Sequence, residues 1–172
     1  VDKPEDAGKQ IRWRNIRVQT KDLVQYPADS IFVANFIPNT ISPQEKKNGV
    51  RLLWDGKTSK GWRGAYREKF PATGWSIRDG MLTVTKSSGG EAENGGDIVT
   101  VDKYGAFDLQ FEFLLTEGAN SGVKYFVTEA EGNKGSAIGL EYQILDDALH
   151  PDAKQGAAGN RTLASLYDLI PS

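Results

Sequence analysis

The chain has 172 residues, of which 38% are hydrophobic, 10% aromatic and 26% charged, and its formal net charge is −2. This composition provides enough apolar surface for a buried core, so a chain that is mainly disordered is excluded. The balanced charge favours neither nucleic acid nor an anionic membrane as partner. The absence of cysteine excludes disulfides, thiolate catalysis and Cys-based metal sites, and the single histidine excludes His-rich metal sites.

The first part of the chain predicts one strand followed by a linker. Residues 11–18 alternate apolar and charged side chains, and the parity of this alternation changes at Asn15, which predicts a strand with a β-bulge. Residues 19–49 are polar and contain three prolines, so we interpret them as a linker. Within them, the apolar run 30–37 is either a strand or a packed connector. No stretch of the chain approaches the roughly 18 consecutive apolar residues of a membrane-spanning helix.

From Val50 onward, short strands follow one another closely. The dipeptide Asp79-Gly80 predicts a hairpin between strands 75–78 and 81–85, because it supplies the positive φ angles of a tight turn. Further strands are predicted at 50–54, 97–101, 107–115, 123–128 and 138–145. In the strand 107–115 we expect the buried face to carry Phe107, Leu109, Phe111 and Phe113. The spacing of these strands predicts an all-β, antiparallel sandwich or barrel.

The end of the chain is unusual for such a fold. The apolar segment 166–170 is followed only by Pro171 and Ser172, so a sandwich ending there leaves an edge strand without a neighbour. We therefore expect a further segment of the same protein, or a partner, to complete it.

Several motifs, taken in order, give the chain a specific resemblance from about residue 51 to residue 172. It resembles the 3-keto-disaccharide hydrolase family in the motifs Leu53-Trp-Asp-Gly-Lys-Thr58, Gly61-Trp62, Trp75-Ser-Ile-Arg-Asp-Gly80, Gly95-Gly-Asp-Ile98, Phe111-Glu-Phe113, Gly118-Ala-Asn-Ser-Gly122, Gly139-Leu-Glu-Tyr-Gln-Ile-Leu-Asp146, His150-Pro-Asp-Ala153 and Ser165-Leu-Tyr-Asp-Leu169.

The resemblance implies a concanavalin A-like jelly-roll of two antiparallel sheets, with a concave face that receives carbohydrate. It also implies cleavage of glycosidic bonds in sugars oxidised at C3, by hydrolysis or by β-elimination. The implied location is the periplasm, the cell surface or the secreted fraction of a bacterium. Because the same fold hosts lectins, a non-catalytic carbohydrate-binding module is the alternative.

The resemblance also bears on domain organisation. The closing strand that we expect at the end of such a domain resembles residues 11–18, which here come first. We therefore interpret 1–18 as the closing strand of a preceding or permuted copy, 19–49 as a linker, and 50–172 as the N-terminal part of a jelly-roll domain. Of the two, we favour the tandem arrangement. A second copy of the domain, or a further segment of the protein, is then expected to complete the sandwich.

The candidate catalytic residues lie on and after the strand 138–145. Glu141 and Gln143 share one face because side chains alternate along a strand, and a bulge near Leu145 brings Asp146 to the same side. This Glu-x-Gln-x-x-Asp spacing resembles the Glu-x-Asp-x-x-Glu strand of glycosidases with this fold. Gln143 stands where those enzymes have an acid, which argues against a conventional pair of catalytic carboxylates. The alternative is that both acids are solvated or form ion pairs.

A ketone at C3 makes elimination chemically accessible, because it acidifies the hydrogen on C2. This route needs a base, an electrophile for the enolate and an acid for the leaving group. His150 is a candidate base, acid or metal ligand, or else a loop histidine that caps the turn before Pro151. Glu141, Asp146 and His150 are also the candidate ligands of a divalent metal ion acting as a Lewis acid.

The remaining candidates are substrate-binding residues. Arg161 either donates hydrogen bonds to the substrate or pairs with Asp168. Trp62, between two glycines, is the candidate stacking platform for a sugar ring, although a tryptophan is by default a core residue. Carbohydrate contacts are also expected for Lys124 and Gln143, and for Asn120, whose glycine-flanked turn is otherwise explained by turn chemistry alone. The ligand that the resemblance implies is a 3-keto-glycoside.

Overall fold

The computed structural model describes residues 11–21, 23, 35–85, 94–133 and 135–172. The described strands, numbered in chain order, are β1 (Ile11–Gln19), β2 (Val50–Leu52), β3 (Trp62–Gly64), β4 (Trp75–Arg78), β5 (Met81–Val84), β6 (Ile98–Thr100), β7 (Asp108–Leu115), β8 (Asn120–Asn133) and β9 (Ser136–Leu145). They are accompanied by helix α1 (Pro43–Lys47) and a 3₁₀ helix (Pro151–Lys154).

Strand β1 lies at the centre of the larger sheet. One of its edges pairs with β5 through Arg12 and Trp13 and with β2 through Arg17 to Gln19. Its other edge pairs with β7 along nearly its whole length, and β4 extends the sheet beyond β5. All of these pairings are antiparallel. The predicted strand at residues 11–18 is confirmed, and it shares a sheet with strands from the rest of the described chain.

Two further antiparallel pairs complete the architecture. Strand β3 pairs with β6, and β8 forms a long hairpin with β9. The chain is nearly all β with curled antiparallel sheets, which confirms the predicted jelly-roll β-sandwich class. No helix among the described residues is long and apolar enough to cross a membrane.

The predicted bulge at Asn15 is confirmed. Asn15 has a φ of 54°, and the register between β1 and β7 shifts between Arg14 and Arg17. Asparagine tolerates this left-handed conformation better than most residues do. Asn39 holds the bulge in place, because the two asparagines exchange backbone-to-side-chain hydrogen bonds. The shift of parity allows Ile16 to join the core on the same side as Ile11 and Trp13.

The core lies between the larger sheet and the β8–β9 hairpin. Its buried members are Ile11, Trp13, Ile16, Trp54, Leu82, Ala119 and Ile144. Phe111 packs against Trp13 with ring centroids 5.3 Å apart and ring planes tilted by 54°, and it also contacts the ring of Tyr142 edge-on. The expectation that Phe113 is buried is wrong, because 36% of its surface remains exposed although its ring lies 6.4 Å from that of Trp13.

Other expectations for local structure have mixed outcomes. The hairpin around Asp79 and Gly80 is confirmed, since both residues have positive φ and β4 pairs with β5. Strand β8 begins at Asn120 rather than at Val123, because pairing with β9 already starts in the expected turn. Most of the apolar run 30–37 lies outside the described residues.

Helix α1 was not predicted, because its five residues are too few to show apolar periodicity. It begins with a capping box, in which the Ser42 hydroxyl accepts from the backbone N–H of Glu45 and the Glu45 carboxylate accepts from the Ser42 N–H. The other oxygen of Glu45 accepts a 2.5 Å hydrogen bond from Arg17 on β1. The helix therefore packs against the sheet through a charge-assisted contact rather than an apolar face.

The face of β9 that contributes Ile144 to the core also carries exposed apolar side chains. Ile138, Leu140 and Tyr142 are 49%, 37% and 37% exposed. The completion of the sandwich by a further segment or a second copy stays a prediction.

An ion pair connects β3 and β8. Its contribution to the free energy of unfolding is tested by the dependence of that free energy on pH. Arg63 donates two hydrogen bonds to the Glu129 carboxylate at 2.8 and 2.6 Å, and the Tyr66 N–H donates a third at 2.5 Å. These donors, the Arg63 hydrogen bonds first, lower the pKa of Glu129 to about 2. A carboxyl whose pKa is lower when folded stabilises the protein above its unfolded pKa and loses this effect as the pH falls toward the folded pKa.

We therefore expect Glu129→Gln to be destabilised at neutral pH by about 2 kcal/mol, an amount reduced by the partial exposure of the pair. The difference from the wild type is expected to shrink between about pH 4.5 and pH 2. Urea unfolding across this range measures it, with the exposed Glu117→Gln as control. A difference that does not change with pH would contradict this assignment.

Candidate functional site

A cavity of about 1420 Å³ borders the β8–β9 hairpin and the larger sheet. Its lining includes apolar side chains such as Trp13 and Phe111. It also includes Asp97, Asn120, Gly122, Lys124, Glu141, Gln143 and Tyr167, which belong to the hairpin and its neighbours. A cavity with apolar walls and a few convergent polar groups is the usual form of a small-molecule site.

The register of the hairpin brings a carboxylate and an ammonium group together at this cavity. Lys124 of β8 lies directly opposite Glu141 of β9, and Gly122 lies directly opposite Gln143. Residues two apart on a strand share a face, and directly opposed residues are neighbours across the pair. Glu141 and Lys124 are therefore adjacent groups of opposite charge on one face of the hairpin.

Lys124 is held in place by two further groups. Its Nζ donates to Oδ2 of Asp97 at 3.1 Å and to Oγ of Ser136 at 3.0 Å. The same oxygen of Asp97 accepts from the Ala137 N–H at 3.0 Å. The ammonium group is thus oriented by its surroundings while its side chain stays 22% exposed. An ammonium held in this way donates hydrogen bonds to a developing negative charge with little reorganisation.

Asp146 occupies a turn rather than the cavity wall. Its carboxylate accepts hydrogen bonds from the backbone N–H of Gly118 at 2.6 Å and of Ala148 at 3.2 Å. The first of these bonds is the main cause that lowers the pKa of Asp146. Its backbone C=O accepts from the His150 N–H at 2.8 Å. Asp146 therefore ties the turn before β8 to the turn that follows β9.

His150 lies just after this turn and is only 3% exposed. It caps the 3₁₀ helix, because its Nδ1 accepts a 3.1 Å hydrogen bond from the Asp152 N–H. The structure thus shows the capping role that the sequence left open beside the catalytic one.

Arg161 belongs to a cluster of charged and aromatic side chains. It donates two hydrogen bonds to Asp168 at 2.9 and 3.0 Å and one to Asp152 at 3.0 Å, and its guanidinium lies 5.3 Å from the ring centre of Tyr167. The Tyr167 hydroxyl donates to the other oxygen of Asp152 at 2.9 Å. Burial and this bond to Asp152 raise the pKa of Tyr167, which stays protonated. The pairing of Arg161 with Asp168 is confirmed.

Asp152 is the centre of this cluster and is 8% exposed. We expect Asp152→Ala to lower the free energy of unfolding by roughly 2–3 kcal/mol, because it deprives Arg161 and Tyr167 of a buried charged acceptor. Urea denaturation measures this loss, with Ala in place of the exposed Glu68 as the control. An unfolding midpoint equal to that of the control would contradict the structural role of the cluster.

The structure brings some of the predicted site residues together and separates others. Glu141, Gln143, Lys124, Asn120 and Trp62 line the cavity. By contrast, the described residues that line it do not include Asp146, His150 and Arg161. Asp146 and His150 lie beside each other at the turn after β9, while Glu141 lines the cavity, and a shared catalytic role of the three residues stays a prediction.

The predicted metal-ligand set fits poorly for the same reason. Among the described residues, no group of three or more His, Asp or Glu side chains is placed to hold a metal ion. Asp146 uses its carboxylate oxygens to accept backbone N–H groups, and Nδ1 of His150 is also engaged. We derive no chemical step through a metal at these residues.

The lining residues differ in accessibility. Gln143 is only 1% exposed, so little of its amide is available to a ligand. Trp62 packs against the core, and its Nε1 donates to the Leu53 C=O at 3.0 Å.

The sequence did not predict Asp97 or Tyr167 as site residues, although both occur in the motifs that carry the family resemblance. Their positions depend on contacts with distant residues, Asp97 with Lys124 and the Tyr167 N–H with the Glu141 C=O, which local patterns do not reveal.

Comparisons with known proteins identify a family for most of the chain. A family model described as a 3-keto-alpha-glucoside-1,2-lyase-like domain matches residues 49–172. A Bacteroides thetaiotaomicron protein named 3-keto-disaccharide hydrolase is 39% identical over 136 residues. The match covers 73% of this chain and 47% of the relative, so the chain spans about half the length of that curated relative.

Proposed function

The chain belongs to the 3-keto-disaccharide hydrolase family, and from this premise we propose that it cleaves the glycosidic bond of sugars that carry a ketone at C3. The observation that carries the proposal is the Glu141–Lys124 pair, opposed across the β8–β9 hairpin at a large cavity. One family description names a lyase and the relative's name a hydrolase. Elimination followed by addition of water accounts for both reactions.

The chemistry of the substrate determines what the site needs to supply. A ketone at C3 allows a base to remove the hydrogen on C2, because the electron pair of the broken C–H bond is delocalised into an enolate. That pair then forms the C1=C2 double bond while the bond from C1 to the leaving oxygen breaks. The leaving oxygen takes up a proton, and the ring becomes an enone. Addition of water across the double bond gives the product of net hydrolysis.

We assign the base to Glu141. Its carboxylate is an acceptor on the polar side of the cavity, and general bases contribute roughly a hundredfold or more to the rate of proton transfers. After it has taken the proton from C2, the same group holds a proton that it can return to the leaving oxygen, directly or through water. One carboxyl can thus serve where a conventional glycosidase uses two.

We assign the electrophile to Lys124. Its ammonium group, oriented by Asp97 and Ser136, supplies a positive charge and hydrogen-bond donors for the C3 oxygen as the enolate develops. Asn120, two positions from Gly122 on the same face, and the ring of Tyr167 provide further surface for a sugar hydroxyl or ring face. This assignment gives no role to a divalent metal ion.

The experiment that tests the proposal uses a 3-keto-glucoside and its unoxidised counterpart. We expect the leaving group to be released only from the 3-keto sugar. Chromatography of both products measures this release. Parallel reactions with a chelator reveal any dependence on a metal. A protein that binds the 3-keto sugar and never cleaves it would instead be the carbohydrate-binding module, and would contradict the proposed enzyme.

A further inference from the structure

We propose that Gly122 is a positioning residue for the Glu141 carboxylate, an inference whose kinetic test rests on the proposed function. A Cβ atom at position 122 would lie 1.9 Å from Oε1 of Glu141 and 2.6 Å from both its Cδ and its Cγ. These distances are far below van der Waals contact, so any side chain at position 122 would displace Glu141.

The backbone gives no other reason for a glycine at this position. Gly122 lies within β8 and is absent from the glycines that have positive φ. A glycine inside a strand weakens the strand, and it often marks a place where another group approaches closely. Here the approaching group is the side chain of Glu141, which extends diagonally across the hairpin from β9.

The neighbours of Gly122 confine the carboxylate. Asn120 and Lys124 lie two positions away on either side, so their side chains share the face on which Glu141 lies. The missing side chain of Gly122 leaves a gap between them, and Glu141 fills it. The carboxylate therefore lies low against β8 instead of standing out from the sheet, which leaves the space above it for a sugar ring. A base fixed in this way is positioned for one hydrogen of the substrate.

The first experiment compares Gly122→Ala with the wild-type protein on a 3-keto-glucoside. We expect kcat to fall by roughly tenfold to a hundredfold with KM changed by less than about threefold, because a base displaced by an ångström loses its geometry. Gly105→Ala shows the effect of a methyl group that borders the same cavity but displaces nothing, since a Cβ there would meet no heavy atom within 4 Å. A kcat for Gly122→Ala equal to that of the wild-type protein would overturn the inference.

A second experiment separates positioning from general damage to the fold. Aspartate is one methylene shorter than glutamate, so Glu141→Asp shortens the side chain that a Cβ at position 122 would strike. Aspartate keeps a Cγ, which lies 2.6 Å from that Cβ in the wild-type side chain, so the shortening relieves only the closest contact and is not expected to restore activity. We expect Glu141→Asp to lower kcat in the wild-type background, and to lower it by a smaller factor in the Gly122→Ala background, where the base is already displaced. If Glu141→Asp reduces kcat by the same factor in both backgrounds, the two positions are not coupled and the inference is wrong.

The inference is also testable without turnover. If the wild-type protein cleaves no 3-keto-glycoside, the proposed function fails, and the crystal structure of Gly122→Ala becomes the deciding measurement. A Glu141 carboxylate displaced by about 1 Å or more from its wild-type position would support the positioning role. A carboxylate in its wild-type position beside the new methyl group would overturn it.

Discussion

Replacement of Glu141 by glutamine is expected to lower kcat for a 3-keto-glycoside by roughly a hundredfold or more, because the amide cannot accept the C2 proton. The substitution keeps the size of the side chain, so it introduces no contact with Gly122 beyond the one that Glu141 already makes. We therefore expect KM and the unfolding midpoint to change little. Initial rates at saturating substrate, together with thermal unfolding, measure both quantities.

The matched control for this experiment is Glu117→Gln, which makes the same chemical change on an exposed side chain in the turn before β8. It is expected to retain wild-type kcat. Full activity of Glu141→Gln would remove Glu141 from the mechanism while leaving the fold assignment unchanged. A loss in both variants would indicate a general effect of charge rather than the loss of a base.

The second large effect is expected for Lys124→Met, with a loss of kcat of roughly a hundredfold to a thousandfold. The ammonium group is assigned to the C3 oxygen, where negative charge develops only as the C2 hydrogen leaves, so its removal affects kcat more than KM. Methionine keeps a similar length and removes the charge. Steady-state kinetics on the 3-keto-glucoside give the two parameters separately.

Two controls accompany Lys124→Met. Lys60→Met changes an exposed lysine outside the cavity lining and is expected to retain activity. Lys124→Arg keeps a positive charge, so we expect it to retain more activity than Lys124→Met. If instead Lys124→Met raises KM and leaves kcat unchanged, Lys124 only binds the substrate and the electrophile is another group.

Local patterns predicted much of the fold. The change of parity at Asn15 predicted the bulge of β1, and the Asp79-Gly80 dipeptide predicted the hairpin, because each feature is encoded within a few neighbouring residues. Alternation along β9 placed Glu141 and Gln143 on one face. These expectations needed no knowledge of which strands pair.

The site was harder to predict because it depends on pairing between distant segments. The opposition of Lys124 and Glu141 follows from the register of β8 and β9, and the orientation of Lys124 depends on Asp97 from another part of the chain. His150 illustrates the reverse difficulty. Its chemistry made it a catalytic candidate, while its position was decided by a local hydrogen bond to the Asp152 N–H that caps a short helix.

The family assignment accounts for the motifs, and the arrangement of the hairpin supports the proposed mechanism. Glycosidases that use two carboxylates need both at fixed separation across the scissile bond. Here one carboxylate and one ammonium group lie opposite each other, which suits formation of an enolate. This difference in residue chemistry is the reason to expect elimination as the first step.

The formation of that enolate is tested most directly by running the reaction in D₂O and analysing the sugar released from a 3-keto-glucoside by mass spectrometry. Removal of the C2 hydrogen predicts either the enone or a 3-keto sugar with one deuterium at C2, above the exchange seen when product is incubated without protein. A 3-keto sugar that keeps its original hydrogen at C2 would contradict the account, because direct attack of water at C1 leaves that bond intact.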